Sequence, residues 1–281
     1  MVAAGLAFAA SVIWGCADFL GGLFSRRLTV ATVVLVGQGA ALAAVLLVAW
    51  ASGGVDTRAV EIGVLAGLFG GVGLAAYYRA LAVGTMSIVA PIAACGALVS
   101  VALALAQGER PPLLALGGAL VAVAGAVAAS LPERRIGEAN REALAFAVLT
   151  AFMFGGLLYV LGRASDEGGA LAALLGSRLG SLVVLLAWLL AVRPPFRFGP
   201  PLVMIAVAVA GTMAACANGL YGAAAERGLI SIASVIASLY PVMTVVLAHA
   251  VLGERIARVQ KGGIAAAMTG VALSVVGTSG S

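Results

Sequence analysis

Residues 221–255 read YGAAAERGLISIASVIASLYPVMTVVLAHAVLGER. Between the polar cluster Glu226-Arg227-Gly228 and the terminal Gly253-Glu254-Arg255 runs an apolar stretch, Ile230–Leu252, that holds no Lys, Arg, Asp or Glu. A hydrocarbon core about 30 Å thick takes roughly 20 apolar residues of helix, so this stretch reads as one membrane crossing. The same order of residues occurs once before. Tyr221, Gly228 and Ser231 repeat Tyr77, Gly84 and Ser87, and Gly253-Glu254-Arg255 repeats Gly108-Glu109-Arg110.

Composition extends this reading to the whole chain. Of 281 residues, 63% are hydrophobic and 10% charged, and the mean hydropathy is +1.16. A soluble domain carries about 25% charged residues to cover its core; with less than half that supply, this surface must face hydrocarbon. The apolar excess is Ala, Leu, Val and Gly, which suits closely packed membrane helices. The net charge of +5 does not indicate nucleic acid, because the basic residues are scattered between apolar runs and do not gather on one face. Cys16, Cys95 and Cys216 lie inside apolar runs without paired spacing and read as small packing residues, neither disulfide framework nor metal site. The first eight residues lack the basic start of a cleavable signal.

Charged and turn residues cut the chain into ten such runs, giving an all-α polytopic membrane protein. The runs are 5–24, 29–51, 62–83, a fourth from Met86 to the stop at Gly108-Glu109-Arg110-Pro111-Pro112, 113–131, 143–161, 170–191, 202–225, Ile230–Leu252 and 262–277. The repeat divides them into five-helix units over 1–132 and 143–281, joined by a charged connector at 133–142. Trp14-Gly15 pairs with Phe154-Gly155, and Gln38 with Arg178. Because five is odd, the copies must cross the membrane in opposite senses. Inverted repeats of this kind place a transport site at their interface near mid-membrane.

Three segments carry a resemblance: WGCADFLGGLFSRR at Trp14–Arg27, YYRALAVGTMSIVAPI at Tyr77–Ile92, and SIASVIASLYPVMTVVLAHAVLGERI at Ser231–Ile256. The chain resembles the EamA-type ten-helix transporters of the drug/metabolite transporter superfamily over nearly its whole length. The resemblance implies a multi-pass protein of the bacterial inner or plasma membrane that exports or takes up amino acids, nucleobase-like compounds, drugs or other metabolites. Some members are proton-coupled, so a proton is a candidate coupling ion; others facilitate diffusion. The motifs are small and apolar, and they indicate the fold without naming the solute, the direction of transport or the oligomeric state.

Orientation draws two answers. The resemblance implies both termini in the cytoplasm. Of the loop cations, Arg26, Arg27, Arg79, Arg134, Arg135, Arg141, Arg193, Arg197, Arg255, Arg258 and Lys261 lie on the side opposite the termini, and only Arg58, Arg110, Arg163 and Arg227 on the terminal side. The positive-inside rule therefore places both termini outside. Neutralising Arg134, Arg135 and Arg141 is expected to raise the fraction of molecules whose C-terminal reporter registers in the cytoplasm. An unchanged reporter signal would mean that these charges do not set the orientation.

Ionisable groups inside spans cost about 2.5–3.5 kcal/mol when they face lipid, so they turn inward. Asp18, Arg178 and His249 qualify. Asp18 follows Trp14 by one helical turn and shares its face; it reads either as a cavity acid for an amino group or coupling proton, or as a structural acid paired with Arg26 or Arg27. Arg178 reads as a carboxylate ligand or as a structural group capping carbonyls or pairing with Asp18. His249, the sole histidine, reads as a helix–helix hydrogen-bonding group or a proton relay; one histidine makes no metal cage. A central cavity lined by Trp14, Asp18, Tyr78, Asn218, Tyr221 and Ser238, with Arg178 near it, is expected, within a wider set of polar and aromatic residues that includes Tyr77, Ser234 and Tyr240. Pro91 and Pro241 permit bends in the fourth and ninth helices, and Glu109 and Glu254 read as caps or gate latches. Gly67-xxx-Gly71 and Gly176-xxx-Gly180 offer close helix approach.

These residues favour a secondary transporter working by alternating access on a small-molecule solute, with the bilayer as its only other evident partner. No cofactor is indicated, and no Gly-x-x-x-x-Gly-Lys-Ser/Thr segment is present for ATP hydrolysis. The alternatives are a membrane-embedded enzyme, which lacks a catalytic constellation, and a non-transporting receptor or scaffold, which usually carries extramembrane domains.

Overall fold

The computed structural model describes residues 1–25, 28–83, 89, 92–131, 141–253 and 256–279. Among the described residues every regular element is a helix: α1 (Val2–Ser25), α2 (Val30–Ala51), α3 (Thr57–Val83), α4 (Gly96–Ala106), α5 (Leu113–Ser130), α6 (Arg141–Gly168), α7 (Ala170–Val192), α8 (Pro201–Ala225), α9 (Ile230–Ala237), α10 (Tyr240–Leu252) and α11 (Arg258–Ser279). With α9 and α10 taken together, nine of these are long and apolar enough to cross a membrane, and Ile92–Ala106, which includes α4, is a shorter apolar helix. Ten helical spans result, as the sequence predicts. The connector at 133–140 and the predicted start of the fourth span lie outside the described residues.

Local chemistry sets the boundaries. Asp56 Oδ1 accepts the Ala59 N–H at 2.8 Å and caps the start of α3. Pro200 and Pro201 stand where α8 begins, positions at which a missing N–H costs nothing. Gly253 ends α10 at φ 69°, and its N–H reaches the His249 carbonyl at 3.1 Å. Two elements differ from the expectation. The sixth span is a 28-residue helix running past Leu161 through Arg163, Asp166 and Glu167 to Gly168, because Arg163 pairs with Asp166 and Glu167 one turn on and keeps the charged end helical. The ninth span is interrupted at Ser238 and Leu239. Pro241 follows in the first turn of α10, and the Ser238 hydroxyl donates to the Val235 carbonyl at 2.7 Å, satisfying an acceptor freed by the break.

Helix pairing follows an exchange rule. α3 packs on α6 and α7, while α8, the equivalent of α3, packs on α1 and α2; α5 packs on its own equivalent, α11. Side chains repeat the rule in detail. Trp14 meets Tyr221 with ring centroids 6.2 Å apart, and Phe154 meets Tyr77 at the same separation. A Cβ at Gly15 would meet Met243 at 2.5 Å and the Tyr240 carbonyl; a Cβ at Gly155 would meet Val99 at 2.5 Å and the Gly96 carbonyl. The α5–α11 seam fixes the sense of the relation. Gly118 faces Gly270 and Ser274, Gly125 faces Gly263 and Ala267, and Ala115 faces Gly277. Numbers rise on one helix as they fall on the other, so these equivalent helices are antiparallel, as inversion of one five-helix set against the other requires. The α3–α7 seam is equally close: added Cβ atoms at Gly176 and Gly180 would strike the Val60 and Val64 carbonyl oxygens. The α3 partners of this pair are Gly63 and Gly67; Gly71 lies against the Val184 side chain.

Candidate functional site: a cleft beside Trp14

The terminal face, where α1 begins, is tied shut. Glu109, just past α4, accepts the Ile230 N–H at 2.8 Å, the Ser231 N–H at 3.1 Å and the Ser231 hydroxyl at 2.7 Å. Its carboxylate thus occupies the positive N-terminal end of α9. Beneath it the Tyr221 hydroxyl donates to the Leu158 carbonyl at 2.8 Å and lies 2.9 Å from Ser234 Oγ, which lies 2.7 Å from Ser100 Oγ. Tyr221, Ser100 and Ser234 have no exposed surface. This chain of hydroxyls joins α8, α6, α9 and α4. Glu226 adds a tie by accepting the Ala170 N–H at the start of α7.

Around Trp14 the polar groups behave differently. Asp18 keeps exposed surface although protein atoms surround it densely, the situation of a group in a cleft between helices. Among the described residues it forms no ion pair; the pairs there lie on the loops and helix ends, as with Arg58–Glu167 and Arg79–Glu142. The pairing of Asp18 with Arg178, one of the structural alternatives, is not formed, and Arg26 and Arg27, the other candidate partners, lie outside the described residues. Tyr240 stands edge-on to Trp14 at 6.3 Å and 77°, and Asp18 and Tyr77 lie close enough to act electrostatically on it. Asn218, one turn before Tyr221, is buried, and its side chain makes no hydrogen bond among the described residues.

Arg178 Nε is the one buried side-chain nitrogen or oxygen without a partner among the described residues. The Trp14 indole, Asp18 carboxylate, Asn218 amide and Tyr240 hydroxyl have no hydrogen-bond partner among the described residues and are not sealed from access. Tyr221 and Ser238 are saturated by protein partners instead. Of the predicted lining, the structure brings together Trp14, Asp18, Asn218 and Tyr221, with Tyr221 behind the wall and Ser238 bonded to its own helix. The Tyr78 side chain, Pro91 and Glu254 lie outside the described residues. Tyr240 was not singled out as a ligand; its place beside Pro241, at a helix interruption, is the signal that points to it.

Arg178 is 7% exposed. Its Nη1 donates to Gln38 Oε1 at 3.1 Å and its Nη2 reaches Ser177 Oγ at 3.4 Å. Gln38 is the residue that the repeat pairs with Arg178, so two equivalent positions meet on the pseudo-two-fold axis between α2 and α7. His249 lies exposed in the last turn of α10, away from the cleft.

The model of the EamA-like transporter family matches residues 1–131 and 141–276. The chain belongs to this family. It is a multi-pass membrane protein and a transporter of the drug/metabolite type. A solved structure recorded as "Crystal structure of protein" has the same fold, with a TM-score of 0.82 at 17% identity over 98% of this chain and 96% of that one. No curated protein matches this EamA-like chain by sequence.

Proposed function

We propose that this protein is a secondary transporter of small metabolites, amino acids among them, working by alternating access between five-helix units over 1–132 and 143–281 in a bacterial inner membrane. The observation that carries the reading is that the polar groups of Trp14, Asp18, Asn218 and Tyr240 have no hydrogen-bond partner among the described residues. Mostly apolar walls with a few placed polar groups are what a solute site needs. Asp18, Trp14, Asn218 and Tyr240 contact the solute, and Arg178 on the axis holds the two units in register from beside the site. The conformation is closed on the terminal face by Glu109 and the Tyr221–Ser234–Ser100 chain, with the cleft open away from it. Pro241 is the hinge in the ninth span. A proton at Asp18 is the coupling ion in the transporting cycle, and no catalytic chemistry takes place.

Flux in proteoliposomes across a panel of amino acids, amines and nucleobases tests this. Asp18→Asn, in protein that still inserts and stays monodisperse, is expected to lower flux at least about tenfold, equivalent to about 1.4 kcal/mol. Arg178→Gln is expected to cost less. Wild-type flux in both variants would remove both charges from the transport site.

A further inference from the structure

We propose that the cleft recognises its solute by an ammonium group, with Asp18 as counter-ion and the Trp14 and Tyr240 rings as the wall for an adjoining apolar body. This deepens the transport reading and rests on it. The argument starts from charge. Asp18 is a carboxylate inside the bundle with no ion pair among the described residues. The elements packed on α1 are chiefly α8, α9 and α10, with a slight contact from α2. They bring it no cation: α2 and α9 contain no Lys, Arg or His, Arg227 at the end of α8 is bound to Glu226 and the Ala223 carbonyl, and His249 lies at the far end of α10. Arg178 is engaged with Gln38 and Ser177. Arg26 and Arg27, past the end of α1, lie outside the described residues. A negative charge in a poorly screened cleft attracts a cation strongly, and among the described groups none is left to supply one, which leaves that part to the solute.

The neighbours suit an ammonium more than any other cationic form. A primary ammonium has three N–H donors, and the Asp18 carboxylate and the Tyr240 hydroxyl, close enough to act electrostatically on each other, both stand without a hydrogen-bond partner among the described residues. The Trp14 and Tyr240 rings stand at 77° to each other, 6.3 Å apart, and form a corner in which a cation meets a ring face and an attached hydrocarbon meets another. A carboxylate placed there would face Asp18 with neutral donors alone to offset the repulsion. The ammonium end of an amino acid, and not its carboxylate, is thus the recognised end.

The test uses the purified full-length protein at neutral pH with phenethylamine, L-phenylalaninamide, L-phenylalanine and 3-phenylpropanoate. Binding is read from the rise in melting midpoint with concentration, and flux from proteoliposomes. Phenethylamine and L-phenylalaninamide are expected to bind at least about tenfold more tightly than 3-phenylpropanoate. Asp18→Asn is expected to erase that preference, and Asp18→Glu, which keeps the charge, to retain it. Equal binding of amine and acid, wild-type amine binding by a folded Asp18→Asn, or no binding of any amine would overturn the proposal. Amine binding through Asp18 without flux of any solute would sink the transport reading and leave the ammonium site standing; Asp18-independent flux of neutral or anionic solutes would do the reverse.

Discussion

Gly118→Leu is expected to abolish the monodisperse protein, while Gly117→Leu, one residue away, leaves it intact. A Cβ at Gly118 would stand 2.6 Å from the Ser274 nitrogen and 2.7 Å from the Gly270 carbonyl oxygen, whereas a Cβ at Gly117 meets nothing within 4 Å. The obstruction is backbone on the facing helix, which cannot rotate away as a side chain would. Accommodating leucine means driving α5 and α11 apart along a seam of small residues that spans Ala115 to Ala129 on one side and Gly263 to Gly277 on the other. In lipid no hydrophobic force reseals such a gap, because the tails are as apolar as the side chains, and close packing is what holds the pair. Size-exclusion profiles of the two detergent extracts decide the matter. A normal peak for Gly118→Leu would show that the seam is looser than its contacts imply.

The second large effect concerns the closed face. Glu109→Ala removes the acceptor of two backbone N–H groups and one hydroxyl at the start of α9. Each donor left without a partner costs about 1–3 kcal/mol if it stays dry. The helix therefore either loses stability or opens its first turn to water. Glu109→Ala is expected to lower the melting midpoint by several degrees and to let water-soluble thiol reagents reach a cysteine placed at Ser100, which is fully buried in the wild type. Glu109→Gln keeps one acceptor and is expected to fall between. Protection of that cysteine in Glu109→Ala equal to its protection with Glu109 in place would mean that Glu109 does not close the face.

Some residues of the candidate site are legible in the sequence and others are not, for physical reasons. Asp18 was legible because a carboxylate within an apolar span is costly unless turned inward, Trp14 because it stands one turn before Asp18 on the same face, and Asn218 as a polar group inside a span. Tyr221 was legible as inward-facing by the same argument. Its saturation by Leu158 and Ser234 was not, because those partners lie on α6 and α9, 63 and 13 residues away. Arg178 reads in the sequence as a carboxylate ligand or as a structural group capping carbonyls or pairing with Asp18; in the structure its partners are Gln38 and Ser177. The repeat had already paired Arg178 with Gln38, but equivalence in sequence does not say that equivalents touch. They touch here because both stand on the axis. The interruption at Ser238–Leu239 was signalled by Pro241, which was read as a bend and proved a break.

The sequence by itself determined that the chain crosses a membrane in ten helical spans and that its halves repeat in opposite senses. Both are local properties. Each apolar run must match the hydrocarbon thickness and satisfy its own backbone, so composition fixes it without reference to neighbours. Only the tertiary structure decided which inward polar groups are spent on protein and which stay free. Glu109, Tyr221 and Ser234 find partners across helix interfaces, while Asp18, Asn218 and Tyr240 find none for their side chains among the described residues. That division depends on which faces glycine seams bring together, and a hydrogen bond between α8 and α9 exists only once the packing has set their separation.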